Sequence, residues 1–164
     1  MQIPLTSMEQ LMPFPTAEEL IAKQHEPLGS ISPEVTVFAA MQLIAEKNLR
    51  FLLVIEKGEL AGVVSERECA RRVILGRLAA DSTPVRDVMQ TQVVTVQPEE
   101  KVPECLTLMY EKDVGYLPVM RGKEVIGVLA VRELMGSLIE RYQRILRSLG
   151  EERLTLMSPN MDHY

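Results

Sequence analysis

Histidine and cysteine are scarce in this chain, two of each in 164 residues. That shortage excludes much chemistry. A tetrahedral zinc site needs about four nitrogen or sulfur ligands, and Cys69 and Cys105 stand far apart with no Cys-x-x-Cys pair. A hydrolytic triad needs a histidine beside a nucleophile, yet His25 lies in a polar connector and His163 is the penultimate residue. No catalytic or metal constellation emerges, and the chain reads as a non-enzyme. Clustered positive charge is missing too. A net charge of −5 argues against nucleic-acid binding, which needs grouped Lys and Arg against phosphate. The longest apolar runs, such as Phe51 to Ile55, are far short of a membrane span. The opening stretch "MQIPLTSMEQLMPFP" has no basic start and no sustained apolar centre, so it does not read as a signal peptide. These absences together predict a cytoplasmic protein without membrane contacts.

What is present is an internal repeat. Hydrophobic residues make up 46% of the chain and charged residues 25%, enough for a packed core in one domain or two small units. Shifted by 65 residues, the sequence aligns to itself without a gap: residues 32–68 lie over residues 97–133. Pro33 meets Pro98, Val37 meets Val102, Val54 meets Val119, Gly62 meets Gly127, and Arg67-Glu68 meets Arg132-Glu133. Two copies predict two pseudo-symmetric halves rather than a solenoid.

Each copy carries the same local pattern. Val37, Ala40, Met41 and Ile44 mark one buried helix face, and Val102, Cys105, Leu106 and Met109 repeat it at identical offsets. Cys105 thus stands where the first half has Ala40, and Cys69 groups with Ala70, Val73 and Ile74; both thiols read as small core residues. The runs "RFLLVIE" and "GYLPVM" predict strands, followed by glycine-bearing turns at Lys57-Gly58 and Arg121-Gly122-Lys123. Second strands "LAGVVS" and "VIGVLA" lead into helices expected to start near Glu66 and Val131. Leading strands fall near Leu28 to Ile31 and Val93 to Val96. Thr83-Pro84 predicts a short connecting helix, and Gly150 the end of the last long one. Arg141, Arg144 and Arg147 read as a solvated stripe partnered by Glu140, Glu151 and Glu152.

With its repeat, order and connector, the chain resembles a tandem cystathionine β-synthase (CBS) domain pair, or Bateman module. The stretches "GVVSERECARRVILG", "TPVRDVMQTQVVTVQPEEKV" and "GYLPVMRGKEVIGVLAVREL" carry the likeness. The resemblance implies an α/β (α+β) fold of two β-α-β-β-α motifs packed through their sheets. Its divisions would be an N-terminal extension (1–19), a first motif (20–80), a linker helix (81–90), a second motif (91–149) and a C-terminal tail (150–164). It implies a homodimeric regulatory sensor that requires no cofactor and signals to an unidentified partner protein. Such modules take an adenosyl ligand in the clefts between motifs: AMP, ADP or ATP, S-adenosylmethionine, or an NAD type. The alternative is a structural dimerisation module with empty clefts.

In ligand-binding members a Gly-x-x-Ser/Thr-x-x-Asp pattern opens each second helix, its hydroxyl meeting phosphate and its Asp the ribose diol. Here the first half offers Gly62, Ser65, Arg67 and Glu68 in the Asp position, with Arg50 on the preceding strand. The second half offers Gly127, Ala130, Arg132 and Glu133, with Tyr116 where a basic residue often lies. The cleft of the first pattern is expected to be the better site, gathering Ser65, Arg67 and Arg50, with the backbone of Val93, Val94 and Thr95 facing the base. Ser65 and Glu68 are also spaced as a helix capping box, worth about 1 kcal/mol without any ligand.

Overall fold

Both halves build one small unit from the same signals. The computed structural model describes residues 13–24 and 28–157. A short helix α1 (Ala17–Ile21) precedes the first half, which runs β1 (Ser30–Ile31), α2 (Val37–Glu46), β2 (Phe51–Glu56), β3 (Glu59–Ser65) and α3 (Glu66–Gly76). A 3₁₀ turn at Val85–Asp87 links it to the second half: α4 (Val102–Lys112), β4 (Tyr116–Arg121), β5 (Glu124–Ala130) and α5 (Val131–Met157). The result is a mixed α+β fold with two small sheets.

The repeat holds down to backbone detail. α2 and α4 are each followed by a left-handed residue, Asn48 and Asp113, types that tolerate positive φ without a glycine. The hairpin ladders β2–β3 and β4–β5 are both antiparallel and both slip register at one point, Val54/Ile55 and Val119/Met120. Lys57 and Gly58 form the first two-residue turn, both at positive φ, which suits the twist of a tight hairpin.

One asymmetry has a clear cause. In the first half β1 pairs in parallel with β2, and Leu53 donates its N–H to the Gly29 carbonyl at 2.9 Å. The equivalent residue in the second half is Pro118, which has no N–H to give. The leading strand there shrinks to a single bridge, Val96 to Val119, held by Val96 N–H to Pro118 O at 3.0 Å and Met120 N–H to Val96 O at 2.9 Å.

Each half has its own core. Val37, Ala40 and Ile44 of α2 pack on Leu52, Val54, Val64, Cys69, Val85 and Val88. Val102, Cys105 and Met109 of α4 pack on Leu117, Val119, Leu129, Leu134 and Ala17. A third cluster joins the halves through their sheets: Leu53, Val63 and Val128 with Phe51, Val93 and Tyr116 around them. The rings of Phe51 and Tyr116, which correspond under the 65-residue shift, stack at 3.9 Å between centroids.

The segments before each half are exchanged. The connector covers the first half: Thr36 bridges to Pro84, and Val63 and Gln90 exchange backbone hydrogen bonds of 3.0 and 2.8 Å. α1, although it precedes the first half, covers the second: Thr16 bridges to Lys101, and Ala17 N–H donates to Glu100 O at 2.7 Å. A full capping box between Thr16 and Glu19 starts α1. Ala17 of this segment is buried in the second core, with Leu20 and Ile21 packed against it.

Four expectations need correction. α5 does not stop at Gly150 but continues to Met157, since glycine lowers helix stability without forbidding the conformation. The connector is three residues of 3₁₀ helix rather than a regular helix, pinned by the bonds just described. Ala70 and Ile74 face solvent, so the buried face of α3 narrows to Cys69 with partly buried Val73. Arg141 does not belong to a solvated stripe: it is 7% exposed and lies over the Phe14 ring at 3.8 Å. His25, His163 and the side chains of Glu151 and Glu152 lie outside the described residues.

Candidate functional site

The starts of α3 and α5 are each capped by half of a box, and the α5 start faces the space between the halves. At α3, Ser65 Oγ accepts the Glu68 N–H at 3.2 Å, while the Glu68 carboxylate leans to Arg72 at 3.7 Å rather than back to Ser65. At α5, Ala130 has no hydroxyl, and Glu133 reaches back instead: its Oε2 accepts the Ala130 N–H at 2.8 Å. The other oxygen, Oε1, accepts from Gln24 Nε2 at 3.1 Å, and that amide also donates to Val128 O at 2.8 Å. Glu133 is thus held from two sides by its own chain.

The glycines before these starts are required by close backbone approach. A Cβ on Gly62 would lie 2.7 Å from the Gln90 carbonyl oxygen, and one on Gly127 2.6 Å from Ile21 Cγ2. In this chain they seat the exchanged segments against β3 and β5.

A cleft of about 1440 Å³ opens between the halves on the α5 side. One wall comes from the first half (Gly29, Arg50, Phe51), the other from the second (Ala130, Glu133, Glu140), and the N-terminal segment with Phe14 and Gln24 closes it. Lys23, Arg50, Lys101 and Arg144 bring positive charge; Glu19, Glu133 and Glu140 bring negative. Phe14 and Phe51 supply two ring surfaces. Such a wall set has room for a nucleotide, cations for phosphate, an aromatic face for a base and a carboxylate for a diol.

The expected residues divide between two places. Arg50 shares the large cleft with Ala130 and Glu133, and Ser65 is not on its lining. The walls of the large cleft come one from each half, so Arg50 stands on it opposite Ala130 and Glu133, while Ser65 starts α3 outside that lining. Under the 65-residue shift Glu68 corresponds to Glu133 and Tyr116 to Phe51. Burial first, and the Glu68 charge second, push the Tyr116 phenol up from its ordinary pKa. Arg67 and Arg132 are exposed. The trio before β4 fans out as extended chain does: Val93 meets the interface cluster, Val94 the second core, and Thr95 a smaller groove of about 530 Å³ with Glu100, Glu104 and Glu111. Sequence reasoning missed Gln24, Lys23, Lys101 and Phe14; they lie outside the pattern that drew attention, and only the exchange of α1 brings the N-terminal ones there.

Comparison with known proteins decides the family. A family model for the CBS domain matches twice, over residues 18–75 and 85–140. The chain belongs to the CBS-domain family, as a tandem pair. It is 29% identical over 120 residues to the CBS domain-containing protein CBSX3, mitochondrial, of Arabidopsis thaliana, an alignment covering 70% of this chain and 58% of that protein. It is 29% identical over 108 residues to the CBS domain-containing protein YhcV of Bacillus subtilis, covering 65% and 76%. Among solved structures, a CBS-domain protein of Burkholderia ambifaria superposes with a TM-score of 0.71 at 30% identity, covering 76% of this chain and 94% of that one. The CBS domain pair of protein MJ0100, solved with 5′-methylthioadenosine and S-adenosyl-L-methionine, superposes with a TM-score of 0.68 at 14% identity, a likeness of fold alone. CBS pairs are regulatory, ligand-binding modules, and the two CBS motifs here correspond to the two halves of the repeat. No helix among the described residues is long and apolar enough to cross a membrane.

Proposed function

We propose that this CBS pair is a non-catalytic sensor that binds an adenosyl ligand in the cleft between its motifs and passes the binding state to a partner protein as a homodimer. The observation that carries the reading is the composition of the large cleft. Arg50 and Lys101, from different motifs, stand on the same cavity as Phe51 and Glu133. That is the set a phosphate, a base and a ribose diol ask for. Within this reading Arg50 serves phosphate and Glu133 the diol; Ser65, Arg67, Glu68 and Tyr116, the set around the α3 start related to it by the repeat, would form a second, weaker site. Val93 to Thr95 contribute backbone there. AMP and ATP are the first ligands to try, followed by S-adenosylmethionine and an NAD-type dinucleotide. The ligand complex of MJ0100 supports the class, not the identity.

Binding is expected to be weak, with Kd in the tens of micromolar or poorer, because Glu133 must leave Ala130 and Gln24 before it can take a ribose. That same clamp favours the second reading, a structural module whose clefts stay empty. A cytoplasmic location belongs to the first reading, supported by two unpaired cysteines buried in separate cores. Titration calorimetry with AMP, ATP and S-adenosylmethionine, together with mass spectrometry of whatever the denatured protein releases, separates the readings. Heat of binding or a released adenosyl compound supports the sensor; silence in both experiments leaves the structural module.

A further inference from the structure

One buried charge lacks a counter-charge. Arg141, on α5, is 7% exposed, and its Nη1 is sealed from solvent with no hydrogen bond among the described residues. No described carboxylate pairs with it either. The arginines that do have carboxylate partners, Arg72, Arg86 and Arg121, are all exposed. A guanidinium keeps its proton at any ordinary pH, so burial cannot neutralise it, and buried charges are as a rule paired. What lies against this one is the Phe14 ring, 3.8 Å away. A ring face offsets only part of what a cation loses on leaving water. The repeat does not call for the residue: under the 65-residue shift Arg141 falls on Gly76, the last residue of α3.

Arg141 stands just off the large cleft. Its neighbours on α5, Ser137, Glu140 and Arg144, are on the cleft lining, and so is Phe14, but Arg141 is not. Phe14 is half-buried and lies between Pro13 and Pro15, in chain without regular structure. Anchoring begins directly after it: Val102 N–H donates to Pro15 O at 3.2 Å, and Thr16 bridges to Lys101. The two prolines and these bonds fix the backbone, so side-chain rotation alone can take the ring off Arg141. The far end of the same segment treats a cleft carboxylate alike, since Gln24 holds Glu133.

We propose that Arg141 is a phosphate-binding residue of the large cleft and that Phe14 is the cover that withholds it. In the closed form the guanidinium rests on the ring. When the ring turns aside, Arg141 joins the cleft wall and a ligand phosphate replaces the ring as its partner. The exchange favours phosphate, whose oxygens accept two parallel N–H bonds from the planar guanidinium where the ring accepts none in its plane. Glu140 and Arg144 on the same stretch of lining offset each other, so Arg141 supplies the net positive charge there. The inference rests on the sensor reading above, and adds to it a binding group and the contact that ligand binding breaks.

The test is calorimetry with AMP and ATP, paired with thermal melts, on the full chain. Arg141→Met packs on the ring and removes the unpaired charge. It should melt at or above the parent's temperature, because an uncompensated buried charge is gone, yet bind the nucleotides about tenfold or more weakly. An arginine with only a structural role would give the reverse. Phe14→Ala uncovers the guanidinium and should bind the nucleotides several-fold more tightly than the parent; it decides alone if Arg141→Met fails to fold. A lower melting temperature or parental affinity in Arg141→Met, or equal or weaker binding by Phe14→Ala, overturns this inference and leaves the sensor reading standing. A parent that binds neither nucleotide overturns this inference, and the sensor reading falls with it only if S-adenosylmethionine and an NAD-type dinucleotide also fail to bind.

Discussion

Cys69 and Cys105 are the residues whose surroundings most directly set their chemistry. Each is buried, one in each core, and burial pushes both thiols up to about 11. Glu68 adds to the effect at Cys69, and Glu100 and Glu104 at Cys105. The thiolate is the reactive form, so neither cysteine should react with a thiol reagent at pH 8 until the protein unfolds. The linkage has a definite sign. In the unfolded chain these thiols lose protons near pH 9, in the native state near 11, so the native state holds more protons in that window. Their contribution to stability is complete below pH 9 and is lost as pH rises toward 11. The Tyr116 phenol, raised by burial and by Glu68, acts in the same direction. Urea unfolding across that range should show falling stability for the parent and a shallower fall for Cys105→Ala, which also carries a small cavity cost at all pH values. An equal slope in the two proteins contradicts the assignment of Cys105 to a sealed core.

At the scale of elements, the two glycines matched by the repeat separate packing from turn chemistry. Gly62 and Gly127 are not at turns; they are the points where the connector and α1 lie against β3 and β5. Gly62→Ala and Gly127→Ala should each lower the unfolding midpoint, by about 1–3 kcal/mol of stability, because the obstructing atoms are a backbone carbonyl in one case and Ile21 Cβ, at 2.8 Å, among those in the other. Gly115→Ala, where an added Cβ meets nothing within 4 Å, should stay within about 0.5 kcal/mol of the parent. Thermal melts of the three variants check the ranking; equal losses for all three would contradict it. Most elements were legible in the sequence because their signals are local: the helix faces of α2 and α4, the hairpin turns, and the helix starts at Glu66 and Val131. What was not legible is long-range. Nothing in "TAEELI" says that it crosses to the other motif, and nothing in a glycine near the end of a helix says whether the helix continues. The single-bridge leading strand before β4 was readable in principle from Pro118, whose missing N–H removes the rung that Leu53 supplies in the first motif.

As a whole molecule, the two motifs are joined in three ways: the Leu53–Val63–Val128 cluster, the Phe51–Tyr116 stack, and the exchanged segments. Unfolding of either motif therefore strips packing from the other. The exposed pair Lys123–Glu59, at 2.7 Å across the motifs, adds little to this in water. The same joining explains why the candidate site was only half legible. Pattern matching along the chain groups Arg50 with Ser65, since both sit in one motif; the packing of sheets against each other puts Arg50 beside Ala130 and Glu133. The most direct test of the account is calorimetry of AMP and ATP on the parent, Arg50→Ala and Ser65→Ala. Losing a charge-assisted phosphate contact removes roughly 1.5–3 kcal/mol, so Arg50→Ala should weaken the stronger site about tenfold or more. Ser65→Ala should cost about 1 kcal/mol of folding stability through the lost cap while leaving that site's affinity nearly unchanged. Loss of affinity in Ser65→Ala with none in Arg50→Ala would place the ligand at the α3 start instead, and no binding to the parent at all would contradict the sensor reading.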